Sequence, residues 1–118
     1  MKKEAFVNNT TVCKMKIRAI TDTMDLLSGK WKFHIIGTLL EGQSLGFMEL
    51  QREIDGVGAK MLSKELKDLE MNKLISRTVM DTKPITVKYA LTDYGKTLRP
   101  IIDEIAHWGV AYRNTITN

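Results

Sequence analysis

One stretch of the sequence places hydrogen-bond donors along a single helical face. From about Ala59 to Asn72 the pattern has a helical period, with leucines on one side and basic or hydroxyl side chains on the other. The polar side consists of Lys60, Ser63, Lys64 and Lys67. Such donors suit the major groove of DNA, where base edges offer acceptors and phosphates lie along both sides. Because the N-terminal end of a recognition helix usually enters the groove, Ala59, Lys60, Ser63 and Lys64 are the foremost candidates for contact.

The same segment also has a purely structural interpretation. Leu62, Leu66 and Leu69 predict a side that packs on the domain, and a basic face opposite them is often only solvated surface. Glu65 and Asp68 fall on the flanks, so the helix as a whole is nearly neutral. Taken alone, the helix is equally consistent with a DNA-binding face and with an ordinary solvated surface. The neighbouring elements are needed to choose between these two interpretations.

A predicted β-hairpin follows this helix directly. The alternating, β-branched segments 75–79 and 85–91 predict two strands, and Asp81-Thr82-Lys83-Pro84 predicts the turn between them. The cations of the hairpin are Arg77, Lys83 and Lys88. On a hairpin beside a groove, such cations meet the sugar-phosphate backbone or the minor groove, where they fix position and add salt-dependent affinity. The basic hairpin therefore favours DNA contact over plain solvation.

Three helical patterns precede the basic helix. The first contains Ile20, Met24 and Leu27 ahead of Gly29. The second runs from Lys30 to Leu40, and the third spans about Phe47 to Ile54, followed by a tight turn at residues 55–58. Residues 1–18 are polar, basic and unpatterned, which predicts an N-terminal arm ahead of a domain of residues 19–118.

A long final helix is predicted after the hairpin. Thr92 and Asp93 offer its N-cap, and Pro100 is expected to bend it or to lie close to its first turn. Its apolar stripe consists of Leu98, Ile101, Ile102, Ile105, Trp108 and Tyr112. The complete order predicts a mainly α fold with a small β-hairpin (α+β), arranged as a winged helix-turn-helix.

Composition and charge narrow the class of protein without naming a partner. The 118 residues fit one domain, and 43% hydrophobic with 27% charged residues is typical of a globular chain. A net charge of +4 permits nucleic-acid binding without requiring it. The sequence has neither a bilayer-spanning apolar stretch nor a signal-peptide pattern, and its single cysteine, Cys13, predicts a reducing, cytoplasmic setting without membrane contact.

The usual constellations of an enzyme are missing from the sequence. It has no nucleophile elbow, no glycine-rich phosphate loop and no histidine–carboxylate pairing, so we expect no catalysis. His34 and His107 lack partners at metal-ligand spacing, and we expect no metal or cofactor. Trp31 and Trp108 could line a pocket for an unidentified small-molecule effector, although aromatic residues on an apolar helical stripe more often belong to a core or an interface.

These motifs, in this order, resemble the HxlR-type family of winged-helix transcription regulators. The resemblance covers about Asp22 to Gly109 and is carried by Gly29-Lys30-Trp31-Lys32, Phe47-Met48-Glu49-Leu50, residues 60–70, Leu74-Ile75-Ser76-Arg77, residues 87–92 and Trp108-Gly109. It implies a homodimer that binds a double-stranded operator with two-fold related half-sites. The N-terminal and C-terminal helices would form the dimer interface, for which we expect Ile20, Met24, Ile105, Trp108 and Tyr112.

Some members of this family sense oxidants through a cysteine just before the first helix. Cys13 lies farther from Gly29-Lys30-Trp31 than that cysteine normally does, and no proline follows it. The redox role is therefore not carried over to Cys13.

A winged-helix module that binds protein without specific DNA binding is the competing hypothesis. Such a module would favour an apolar or acidic outward face on the fourth predicted helix. The lysines of that face argue against it.

Overall fold

The computed structural model describes residues 10–117 and shows a mainly helical chain with one small antiparallel sheet. The elements in chain order are α1 (Thr10–Leu26), α2 (Lys32–Gly42), β1 (Ser44–Gly46), α3 (Phe47–Glu53), α4 (Ala59–Met71), β2 (Ile75–Met80), β3 (Thr86–Leu91), α5 (Asp93–Lys96) and α6 (Arg99–Thr117). This order confirms the predicted α+β winged helix-turn-helix. Over the described part of the chain, no helix combines the length and apolar character that a membrane span requires.

The predicted hairpin is part of a three-stranded sheet. The strand order is β1-β3-β2, with Leu45 opposite Tyr89 on one side of β3 and Arg77 opposite Tyr89 on the other. The sequence analysis did not predict β1, because three residues that include a glycine are too few to show an alternating pattern. Pairing with β1 makes β3 the central strand and joins the wing to the helical part of the domain.

The leucine side of α4 packs into the core, as its spacing predicts. Leu62, Leu66 and Leu69 are each at most 2% exposed. They join a cluster of buried apolar residues that also contains Leu27, Ile35, Ile36, Leu39, Leu50, Ile54, Val57, Leu74, Ile75, Leu91 and Leu98. The leucines on the buried side of α4 pack closely against α2 and the start of β2. Because this packing fixes the orientation of α4, the opposite side of the helix is held at a fixed angle to the domain.

The predicted N-terminal arm is wrong for residues 10–18, which form the first half of α1. This half contains good helix formers such as lysine, methionine, arginine and alanine, but its side chains between Cys13 and Arg18 are exposed. Its few apolar side chains, such as Met15 and Ile17, stand among basic residues, so the hydrophobic period of this half is weak in the sequence. The remainder of the predicted arm, residues 1–9, lies outside the described residues.

The predicted final helix is divided in two. Thr92 caps α5 by accepting a hydrogen bond from the Gly95 amide at 2.9 Å, which confirms the N-cap. A Cβ atom at Gly95 would collide with the carbonyl oxygen of Leu74, so glycine permits the close approach of α5 to the start of β2. Pro100 lies in the first turn of α6, where its missing amide proton costs nothing.

Candidate nucleic-acid interface

The tight turn between α3 and α4 sets the direction of the basic helix. Gly56 has a φ of 89°, a left-handed conformation that glycine adopts without steric cost. Gly58 is the N-cap of α4 and supplies no side-chain cap, and the first turn of α4 contains no acidic residue. The positive end of the α4 dipole is therefore left open to an outside anion such as a phosphate.

The outward face of α4 contains the side chains that the sequence analysis singled out. Ala59, Lys60, Ser63, Lys64 and Lys67 are all exposed. At 100° per residue, they span an arc of the helix that a DNA groove could contact from one direction.

The wing lies along one flank of α4. Lys67 and Arg77 line a shared concavity of about 290 Å³ between the helix and strands β2 and β3. The other lining residues are Ser63, Leu66, Glu70 and Tyr89. The structure thus brings together one predicted cation of the helix and one of the wing, on the same side of the domain.

The other flank of α4 holds a closed circuit of charges that we call the charge ring, made of Lys32, Glu65, Lys64 and Asp68. Lys32 Nζ lies 2.9 Å from Glu65 Oε1 and 3.5 Å from Asp68 Oδ2. Lys64 Nζ lies 3.6 Å from Glu65 Oε1 and 3.4 Å from Asp68 Oδ2. Two ammonium groups therefore alternate with two carboxylates, and the ring as a whole is neutral.

Sequence analysis placed Glu65 on a flank of α4, whereas the structure buries it beside Lys32. The signal that could have found it is its spacing, three residues after Leu62 and four before Leu69, which puts Glu65 on the leucine side. A carboxylate at a core position needs a buried cation, and Lys32 supplies it from α2.

Asp68 has a pKa below its usual value. Desolvation alone would raise the pKa, but the ammonium groups of Lys64 and Lys32 together outweigh it. Asp68 is therefore ionised at neutral pH and holds both lysines through one oxygen, Oδ2.

The structure assigns Lys88 a different partner from the one that sequence analysis expected. Its ammonium lies 3.0 Å from Glu49 Oε1 on α3, and its side chain is partly buried. It pairs the central strand with α3 instead of standing free on the wing. Arg77 and Lys83 are exposed and form no ion pair within residues 10–117.

Glu49 also accepts a hydrogen bond from the Gly46 amide at 2.9 Å, at the start of α3. This bond, followed by the hydrogen bond and charge of Lys88, lowers the pKa of Glu49. The N-terminus of α3 thus has its own carboxylate and, unlike that of α4, is not open to a phosphate.

The residues expected at a dimer interface lie exposed on α1 and α6. Ile20, Met24, Ile105, Trp108 and Tyr112 are between 47% and 68% exposed. The rings of Trp108 and Tyr112 stack with centroids 5.1 Å apart and planes inclined by 9°. Within residues 99–117 no side chain is fully buried, so the apolar stripe of α6 is almost unused by its own chain.

Trp31 and Cys13 have simpler environments. Trp31 packs against the core cluster, with Lys30 Nζ 4.8 Å from its ring centroid and the His34 ring 5.5 Å away. Trp31 therefore serves packing near the Gly56 turn, as aromatic residues on apolar stripes usually do. Cys13 is a free, exposed thiol on α1.

Two helices joined by a tight turn, α3 and α4, and followed by the β2–β3 hairpin define this chain as a winged helix-turn-helix protein. The chain belongs to the HxlR-like helix-turn-helix family, whose sequence model matches residues 26–117. This confirms the resemblance seen in the sequence. As a member of that family, the protein is a DNA-binding helix-turn-helix transcriptional regulator.

Individual relatives agree with this assignment. The chain is 42% identical to the HTH-type transcriptional regulator BH0655 of Halalkalibacterium halodurans, over 86% of this chain and 94% of the relative. It is 37% identical to the HTH-type transcriptional regulator YdzF of Bacillus subtilis, over 86% and 93% of the two chains.

Solved structures show the same likeness. The redox regulator HypR in its reduced form superposes with a TM-score of 0.77 at 30% identity, over 84% of this chain and 97% of HypR. The reduced form of the transcriptional regulator YodB from B. subtilis gives 0.69 at 32% identity, over 76% and 87%.

Proposed function

We propose that the protein is a homodimeric, sequence-specific DNA-binding regulator that inserts α4 of each subunit into the major groove of one half-site. The observation that supports this most directly is the exposed polar face of α4, with an uncapped N-terminus at one end and the wing along one flank. Lys60, Ser63 and Lys64, near the groove-entering end, are assigned to base edges.

Backbone contacts are assigned to the cations around this face. Lys67 and Arg77 lie on the shared concavity, and Lys83 lies in the turn at the tip of the wing. Contacts of this kind fix the position of a protein on the duplex and make affinity fall with salt. Lys88 is not included, because Glu49 already neutralises it. In this proposal the protein acts by binding DNA and not by catalysis.

Dimerisation is proposed through α1 and α6. The two helices expose large apolar side chains over most of their length, and monomeric globular proteins rarely leave extended apolar stripes uncovered. A second copy of the chain would cover it and would present two α4 helices to two-fold related half-sites.

Fluorescence anisotropy tests this proposal. The purified protein is titrated against labelled DNA from upstream of its own gene at several salt concentrations, with unrelated duplex as competitor. We expect binding that survives the competitor and that falls about 10³–10⁵-fold between 50 and 200 mM salt, as about six to ten phosphate contacts require. If the competitor removes all binding, the titration is repeated with a genome-wide pool of fragments. Complete loss of binding to that pool as well would contradict specific recognition and favour a protein-binding module.

A further inference from the structure

One member of the charge ring, Lys64, is also a side chain that the proposed function places in contact with DNA. The inner members of the ring, Lys32 and Glu65, are 6% and 4% exposed in their side chains, and Lys32 also donates to the Ser28 carbonyl at 3.4 Å. Its outer members, Asp68 and Lys64, are 39% and 65% exposed. The inner half is therefore fixed by packing, and only the outer half can rearrange when DNA approaches.

Asp68 makes the closer of the two contacts of Lys64 within the ring, at 3.4 Å against 3.6 Å for Glu65 Oε1. Its Oδ2 atom accepts from Lys32 at 3.5 Å and from Lys64 at 3.4 Å, and Lys64 stands four residues before it on the same helix. A lysine ammonium has three protons to donate. Lys64 can therefore keep its contact with Asp68 and still offer a donor outward, in a direction that the ring restricts.

The electrostatic cost of a Lys64 contact differs between a phosphate and an acceptor on a base edge. If Lys64 swung away to follow a phosphate, the three remaining members of the ring would have a net charge of −1 beside the DNA backbone. That charge would repel the phosphates and would remain partly desolvated in the protein. An acceptor on a base edge that Lys64 reaches without leaving Asp68 carries no such penalty.

We propose that Asp68 is a specificity-determining residue, because it confines the Lys64 ammonium to base-edge acceptors of the operator and withholds it from the phosphates of other DNA. This inference rests on the proposed function, in which Lys64 contacts DNA. It adds that the specificity of the contact depends on an acidic residue that does not itself touch the operator.

The test is Asp68→Asn, which keeps the shape of the side chain and removes its charge. Glu65 Oε1 still lies 3.6 Å from Lys64 Nζ, but without the charge of Asp68 the ring has no net negative charge when Lys64 leaves it. Affinity for unrelated duplex should therefore rise about 5- to 10-fold at low salt. The slope of log affinity against log salt should steepen by about 0.9 for each subunit. Affinity for the operator should rise much less, so the ratio of specific to non-specific affinity should fall at least about 3-fold.

Glu70→Gln is the matched control. It removes an exposed carboxylate from the same helix. Glu70 lines the concavity that Lys67 and Arg77 share, but it forms no ion pair within residues 10–117 whose loss would release a cation. Any gain from simply deleting a negative charge near DNA appears in both variants. The excess of Asp68→Asn over Glu70→Gln should vanish when Lys64→Ala is present, since there is then no ammonium to release.

The possible outcomes separate this inference from the proposed function. A wild-type protein without operator preference would overturn both. If the wild type is specific, three results would overturn the role of Asp68 alone. These are equal effects of Asp68→Asn and Glu70→Gln, an excess that persists with Lys64→Ala, and weaker binding to both kinds of DNA without a steeper salt slope. The last result, with a lowered Tm, would mark Asp68 as merely structural.

Discussion

The ammonium nitrogen of Lys32 lies 2.9 Å from Glu65 Oε1, and this buried pair ties α2 to the middle of α4. Glu65 shares the inward side of α4 with the leucines, so the pair sits directly behind the face that is proposed to contact DNA. Lys32 comes just after Trp31, which packs near the Gly56 turn. The N-terminal end of α2 thus supports both the start and the middle of α4.

Removing one partner of this pair should destabilise the protein strongly. Lys32→Met leaves the Glu65 carboxylate buried, and breaking such a pair costs about 3–5 kcal/mol in free energy of unfolding. We expect about 3 kcal/mol, because Lys64 remains 3.6 Å from Glu65. Urea denaturation followed by circular dichroism measures it.

The double variant Lys32→Met/Glu65→Leu is the informative companion, because it removes both buried charges and should recover part of the loss. A single variant that loses less than about 1 kcal/mol would show that the pair does not hold α4.

The stability contributed by Glu49 should depend on pH in a defined direction. The folded pKa of Glu49 is below its ordinary value of 4.5, so the contribution is complete above about pH 4.5 and is lost as pH falls through the lower folded value. Glu49→Gln should therefore have a lower Tm than wild type at pH 7. The difference between the two proteins should shrink as the pH falls below 4.5. A Tm difference that stays constant from pH 7 to pH 3 would mean that the charge of Glu49 is not involved.

The wing should supply affinity without sequence choice. Arg77→Ala and Lys83→Ala should each weaken binding to operator and to unrelated duplex by similar factors. Each should also make the salt slope shallower by about 0.9 for every phosphate that is no longer neutralised. Lys88→Gln is a control on the same sheet and should leave the slope unchanged, because Glu49 already holds that ammonium. Altered base preference in Arg77→Ala would instead show that the wing reads sequence.

The dimer should depend on Trp108. Trp108→Glu places a charge in the apolar stripe of α6 and should weaken dimerisation at least about 30-fold, which is the cost of a typical interface hot spot. Operator affinity should fall with it. Asn114→Glu adds the same charge about 120° around the helix and should leave the dimer intact. Sedimentation equilibrium measures the dimer dissociation constant of both variants. A Trp108→Glu protein that remains dimeric would place the interface elsewhere.

The sequence predicted those features that depend on residues close together in the chain, such as the two sides of α4. The leucines of α4 repeat at helical spacing because that side is buried, so both the core side and the lysine face could be located from the sequence. The partners of Glu65 and Lys88 could not be found in this way. Lys32 lies 33 residues from Glu65, and Glu49 lies 39 residues from Lys88, distances over which periodicity carries no information.

The central claim, that α4 is the recognition helix, is tested most directly by two substitutions on its outward face. Lys60→Ala and Lys64→Ala are titrated by anisotropy against the operator, with Lys96→Ala on α5 as a control for the loss of an exposed cation. We expect each α4 variant to lose at least about 10-fold in operator affinity, at about 1–3 kcal/mol per base contact, with folding and dimerisation intact. Lys96→Ala should stay within about 2-fold of wild type, the size of an ordinary surface change. Operator affinity that is unchanged in both Lys60→Ala and Lys64→Ala would contradict the assignment of α4.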